Sequence, residues 1–165
     1  IELEGTFPLP EAQVDRFLLR IRVGYPTEDE ERLILTRFER SDPLEMLGPV
    51  VDINDLTAMQ TARRTVRVER SVADYLLAVC RATRTAAGVQ LGVSPRGTLA
   101  LYRASQARAA IHGREYVLPD DVKALAQPVL AHRIVIDGQS RLRGRKAEDI
   151  VREVIERVPA PVDQI

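Results

Sequence analysis

From Glu69 to about Ala87, Val72, Leu76, Val79 and Thr83 recur at spacings of four, three and four. This is the period of an amphipathic helix, and it restricts the fold more than any other feature. Further stripes repeat it: Ala100, Ala104, Ala107 and Ile111, then Ile150, Val154 and Val158. Small residues in the first of these allow close helix approach. Aromatics are only 4% of the chain and Trp is absent. A core must therefore be built from Leu, Val, Ile and Ala, which suits closely packed helices.

The boundaries are written in capping residues. Pro10 and Glu11 open a short helix reaching about Leu19. Thr27 and Glu30 have capping-box spacing, and Asp29, Glu30 and Glu31 suit the positive end of a helix dipole. Asp52 or Asn54 caps a helix over 53–64. Ser94 caps another, with Pro95 at its first position and Gly113 at its left-handed end. "LPDDVKAL" starts one more, which Pro128 ends or kinks. "KAEDIVREVIERV" is the last, stopped by Pro159 and Pro161. The alternation in "RIRVGYP" predicts a strand at 20–24, ended by Gly24–Pro26. "HRIVI" (132–136) is a second candidate strand. "SDPLEMLGPV" is predicted as a loop, "VRV" (66–68) as an extended link and "GVQLGVSPRG" as a linker. The fold class is mainly α: five or six helices, preceded by a helix-strand remnant whose sheet is missing.

Most chemistries lack their residues. One cysteine, Cys80, cannot form an internal disulfide. His112 and His132 are the only histidines, and with Cys80 they make no convincing metal set. No apolar run approaches the ~20 residues that span a bilayer. "GVSPRGTL" has Gly92 and Gly97 at phosphate-loop spacing, but Thr98 stands where the motif needs Lys, and no strand precedes it. It is predicted as a linker and helix start. The chain opens on Ile1, and its only methionines are Met46 and Met59. It is expected to start inside a longer protein.

Net charge is zero but unevenly spread. Residues 1–55 carry a balance of −7, residues 56–114 of +8 and residues 115–165 of −1, and 22 of the 24 basic residues are Arg. Arginine suits bidentate phosphate contacts, so the middle segment either meets phosphates or is a solvated face. Two arginines occupy notable places. Arg16 stands beside Phe17 at the end of "EAQVDR". Arg96 lies in the first turn of a capped helix, where backbone N–H groups also favour anions.

"EGTFPLPEAQVDRFLLRIRVGYP" resembles the signature of MoxR-type AAA+ ATPases just after their sensor 1 strand. "SPRGTLALYRASQARAAIHGREYVLPDDVKALAQPVLAHRI" is similar to the sensor 2 helix of the same family's lid, and "EDIVREVIERVPAP" to its C-terminus. The resemblance covers nearly the whole chain. It implies a core remnant over 1–25, then a helical lid over 26–165. It implies that Arg16 is the arginine finger, offered in trans to the next subunit, and that Arg96 is sensor 2, contacting phosphates within its own subunit. Tyr25 and Pro26 match the junction where such proteins pack adenine. ATP and Mg are the implied cofactors of the parent protein; tight binding by this stretch alone is not expected, since the phosphate loop and acidic strand would lie upstream.

Implied partners are further copies of itself in a ring, expected to be a hexamer, and von Willebrand factor A-domain proteins. Cytoplasmic, chaperone-like remodelling is the implied role. Membrane and nucleic-acid partners are not expected, although the +8 segment and Arg141, Arg143, Arg145 and Lys146 keep a helical nucleic-acid-binding module as the alternative, beside a bare oligomerisation domain. "GQSRLRGRK" (138–146) departs from the family by being more basic. Residues 1–25, without their sheet, are expected to be loose or docked on another copy.

Overall fold

The computed structural model describes residues 9–39 and 42–161. The start of the motif "EGTFPLPEAQVDRF", residues 4–8, lies outside the described residues. The elements run α1 (Glu11–Val14), α2 (Glu28–Phe38), α3 (Ile53–Thr65), α4 (Arg70–Arg84), β1 (Val89–Leu91), α5 (Pro95–Ile111), α6 (Pro119–Leu130), β2 (Val135–Ile136), α7 (Gly138–Leu142) and α8 (Ala147–Arg157). Short 3₁₀ turns lie at Pro43–Met46 and Ala131–Arg133. The described residues are thus mainly helical, with one small antiparallel sheet of β1 and β2.

Two compact units divide it: Ile1–Arg20 with Ala62–Ile165, and Ile21–Thr61. The first holds the core. Val79, Cys80, Leu101, Val122, Leu130 and Ile150 are fully buried where α4, α5, α6 and α8 pack together. Each large aliphatic side chain buried there contributes about 1.5–3 kcal/mol. In the second unit, Thr27 and Glu30 form the expected capping box of α2. Asp52 caps α3: its Oδ1 accepts from the Asp55 N–H at 2.8 Å, and Asp55 returns the bond.

Several expectations change. Residues 20–24 form no strand, and among the described residues no strand lies beside them to pair with. Residues 9–20 lie on their own unit, where the Arg20 N–H donates to the Pro128 carbonyl at 2.8 Å. α6 runs past Pro128 to Leu130. α4 stops at Arg84, and part of the linker after it is β1. On α5, Ala100 and Ala104 of the expected stripe are buried, but the buried face widens to Gly97, Leu101, Ser105 and Ala109, and Ile111 is 83% exposed. The turn over 138–146 contains α7, capped by Asp137, whose Oδ1 accepts from the Ser140 N–H at 2.7 Å.

Candidate functional site

The site is built from the start of α5. Ser94 Oγ accepts from the Gly97 N–H at 3.3 Å, closing the first turn as its sequence predicts. The same hydroxyl faces the Asp15 carboxylate at 3.1 and 3.2 Å and donates to it. Asp15 ends α1, so this bond joins the N-terminal segment to the root of α5.

Arg133 sits beneath the junction. Its side chain is only 1% exposed, and its Nε lies 3.2 Å from Asp15 Oδ1 as an ion pair without hydrogen-bond alignment. The guanidinium also donates to the backbone carbonyls of Asp15, Phe17, Leu18 and Val129. Burial lowers the Arg133 pKa, against the pull of Asp15, and the nearby Arg96 charge lowers it further. A buried cation requires such partners.

His132 is the neighbour. Its Nε2 lies 3.2 Å from the Phe17 carbonyl. Burial pulls its pKa below the ordinary histidine range, and the Arg133 and Arg20 charges add to this. His132 is therefore a half-buried member of the junction, whereas His112 is a helix-end residue with Nδ1 2.8 Å from the Arg108 carbonyl.

Gly97 and Gly92 owe their places to packing. A Cβ on Gly97 would come within 2.5 Å of Val93 Cγ1 and 2.8 Å of Arg133 Cδ. One on Gly92 would meet the Arg84 backbone nitrogen at 2.7 Å. The phosphate-loop spacing of these glycines thus has a different cause: two close approaches around the junction.

The sequence-predicted cations stand on either side of it. Arg16 follows Asp15 directly, Arg96 follows Ser94 by two residues, and both are exposed. Neither guanidinium has a hydrogen bond or ion pair among the described residues. Tyr25 and Pro26 belong to the other unit, where they line a cleft of ≈ 590 Å³ with Leu33, Ile34 and Arg37 of α2. Sequence reasoning missed Asp15 and Arg133. The available signal was an arginine inside the apolar run "VLAHRIVI", since a charge placed among core residues needs a partner.

Two other features share the first unit. A cleft of ≈ 790 Å³ lies between α1 and the β1 edge, with Asp15, Ser94 and Arg133 on its wall. A smaller pocket gathers Arg63, Arg64 and Arg103 around Tyr102 and Leu99. Of the basic stretch at 141–146, Arg145 pairs with Glu153 on α8 and Arg141 lines the larger cleft. Among the described residues no group of three His, Cys, Asp or Glu could hold a metal, and no helix is long and apolar enough to cross a membrane.

Residues 81–154 match the family described as the AAA lid domain. The chain is 44% identical over 164 residues to YeaC, an uncharacterized protein of Bacillus subtilis (strain 168), covering 99% of this chain and 51% of that protein. It is 35% identical over 170 residues to the chaperone MoxR1 of Mycobacterium tuberculosis, covering 98% of this chain and 45% of that one. A solved structure, described provisionally as an ATPase of Cytophaga hutchinsonii, superposes with a TM-score of 0.90 at 29% identity, over 98% of this chain and 52% of its own. These matches support reading the chain as a C-terminal fragment of a MoxR-type AAA+ ATPase. It spans about half the length of the relatives that it matches.

Proposed function

We propose that this chain is the lid-bearing C-terminal part of an ATPase that works as a ring of identical subunits, expected to be a hexamer, and remodels partner proteins. The observation that carries the reading is the pair of unpartnered, exposed cations, Arg16 and Arg96, mounted on one junction of an AAA lid. Arg16 acts as the finger that reaches the neighbouring subunit's nucleotide. A cation supplied this way offsets charge on the transferring phosphate and is worth ~10³–10⁵ in rate. Arg96, at a helix start where N–H groups also favour anions, contacts the phosphates as sensor 2. Tyr25 and Pro26 take the adenine. ATP with Mg is the cofactor. Two arginines fit phosphate oxygens well; among the described residues no carboxylate cluster is present, and no residue of this chain is assigned to the metal. Von Willebrand factor A-domain proteins are the proposed partners and the cytoplasm the proposed compartment; the relative named a chaperone supports the remodelling role.

ATP turnover by the full-length protein tests this. Arg16→Ala should abolish turnover, by about a thousandfold or more, while nucleotide binding stays near wild type. Loss of binding, or unchanged turnover, would remove the finger assignment. A second reading, a surface for anionic polymers, has one observation in its favour: the Arg63, Arg64 and Arg103 cluster beside Tyr102. It predicts binding to single-stranded nucleic acid that falls steeply with salt.

A further inference from the structure

A buried arginine with an aspartate and four carbonyls is an unusual concentration of polar contact for a small helical unit. Every one of these contacts except that to Val129 goes to the segment Asp15–Leu18, which carries Arg16. From the other side, Ser94 uses one hydroxyl both to cap the helix that carries Arg96 and to hold Asp15. Arg133 Cδ lies so near Gly97 that the floor of the first turn of α5 is the Arg133 stem itself. Arg16 and Arg96 therefore each stand within two residues of a group held by the same Asp15–Arg133 pair.

We propose that Asp15, Ser94 and Arg133 are positioning residues that lock the Arg16 segment to the first turn of α5, so that Arg16 and Arg96 move as one body. The role assigned to that body rests on the reading of Arg16 and Arg96 above; the lock itself does not. If nucleotide state shifts α5 through Arg96, the lock carries the same displacement to Arg16. A misplacement of about 1 Å at a catalytic group can cost ~10²-fold in rate. None of the three residues has to touch the nucleotide for this to matter.

Hydrogen exchange on the full-length protein tests the lock without reference to activity. Asp15→Asn keeps the shape and removes the charge; Arg133→Lys keeps the charge and loses the fork. In each, the amides of Gln13–Arg20 should exchange roughly tenfold faster or more, while those of α4 and α8 stay protected. Unchanged exchange at Gln13–Arg20 in Asp15→Asn overturns the lock, even if Arg133→Lys fails to fold. Steady-state kinetics then test its use. Asp15→Asn and Ser94→Ala should lower kcat about tenfold or more with KM for ATP little changed. Ser94→Thr, which retains a capping hydroxyl, should restore kcat. Wild-type kcat in Asp15→Asn, or a Ser94→Thr protein as slow as Ser94→Ala, would overturn the positioning role. The two readings fail separately: full activity in Arg16→Ala removes the finger, whereas normal exchange in Asp15→Asn removes only the lock.

Discussion

At the scale of single residues, the informative positions are those where two demands meet in one side chain. Ser94 is a helix cap and an Asp15 donor; Gly97 is a first-turn residue and the floor for Arg133. Gly97→Ala separates the two. Alanine is the better helix former by about 1 kcal/mol, so an isolated helix would gain from it. Here its Cβ would intrude on Val93 Cγ1 and Arg133 Cδ, both on buried residues. Overpacking of this kind costs about 1–3 kcal/mol and outweighs the propensity gain. The expected outcome is a net loss of stability by denaturant unfolding, together with looser Gln13–Arg20 amides. A stabilised Gly97→Ala protein would show that Arg133 can move aside freely. Ser94 and Pro95 were legible in the sequence because capping is local. Asp15 and Arg133 were not, because their pairing joins residues far apart in sequence and leaves no periodic trace.

At the scale of elements, the long helices followed from period and cap, and the errors fell where tertiary partners decide. Residues 20–24 alternate like a strand yet form none, for want of a partner, whereas the unpromising "VQL" becomes β1 because Val135–Ile136 lies beside it. The start of α6 shows the same dependence on partners. Asp121, 3% exposed, receives a bidentate pair from Arg114 at 2.7 and 2.8 Å and the Leu118 N–H at 2.9 Å, with Arg108 Nε at 3.3 Å. Burial raises its pKa, but the Arg114 and Leu118 bonds and the Arg108 charge outweigh this and hold the carboxyl below its ordinary range. A depressed carboxylate stabilises the fold fully above its unfolded pKa, near 4, and loses that contribution as pH falls through the still lower folded value. Asp121→Asn leaves Arg114 unmatched and should cost about 3 kcal/mol at neutral pH. Its stability should also fall less than that of wild type on going below pH 4. Equal acid sensitivity in the two proteins would mean that other carboxylates set the acid limb.

At the scale of the whole molecule, the proposed ring raises the question of how one body would serve it. In a closed ring each subunit faces two neighbours, and each nucleotide lies between two subunits. The resemblance alone assigns Arg16 to the neighbour's nucleotide and Arg96 to its own. The lock argues for a different division. Cations fixed within two residues of one Asp15–Ser94 bond are placed more readily on the same triphosphate than on two nucleotides at opposite faces of a subunit. Mixing two inactive variants separates these arrangements. Suppose Arg16→Ala and Arg96→Ala subunits are combined in equal amounts. If the two cations serve different nucleotides, some junctions pair an intact Arg96 with a neighbour's intact Arg16, and about a quarter of the sites should recover. If both serve the neighbour's nucleotide, every junction lacks one of them and nothing recovers. The expected result is no recovery, whereas replacing either variant by wild type in the mixture should leave about half of the sites active. Recovery near a quarter would keep the lock as a structural joint but return Arg96 to its own subunit's nucleotide.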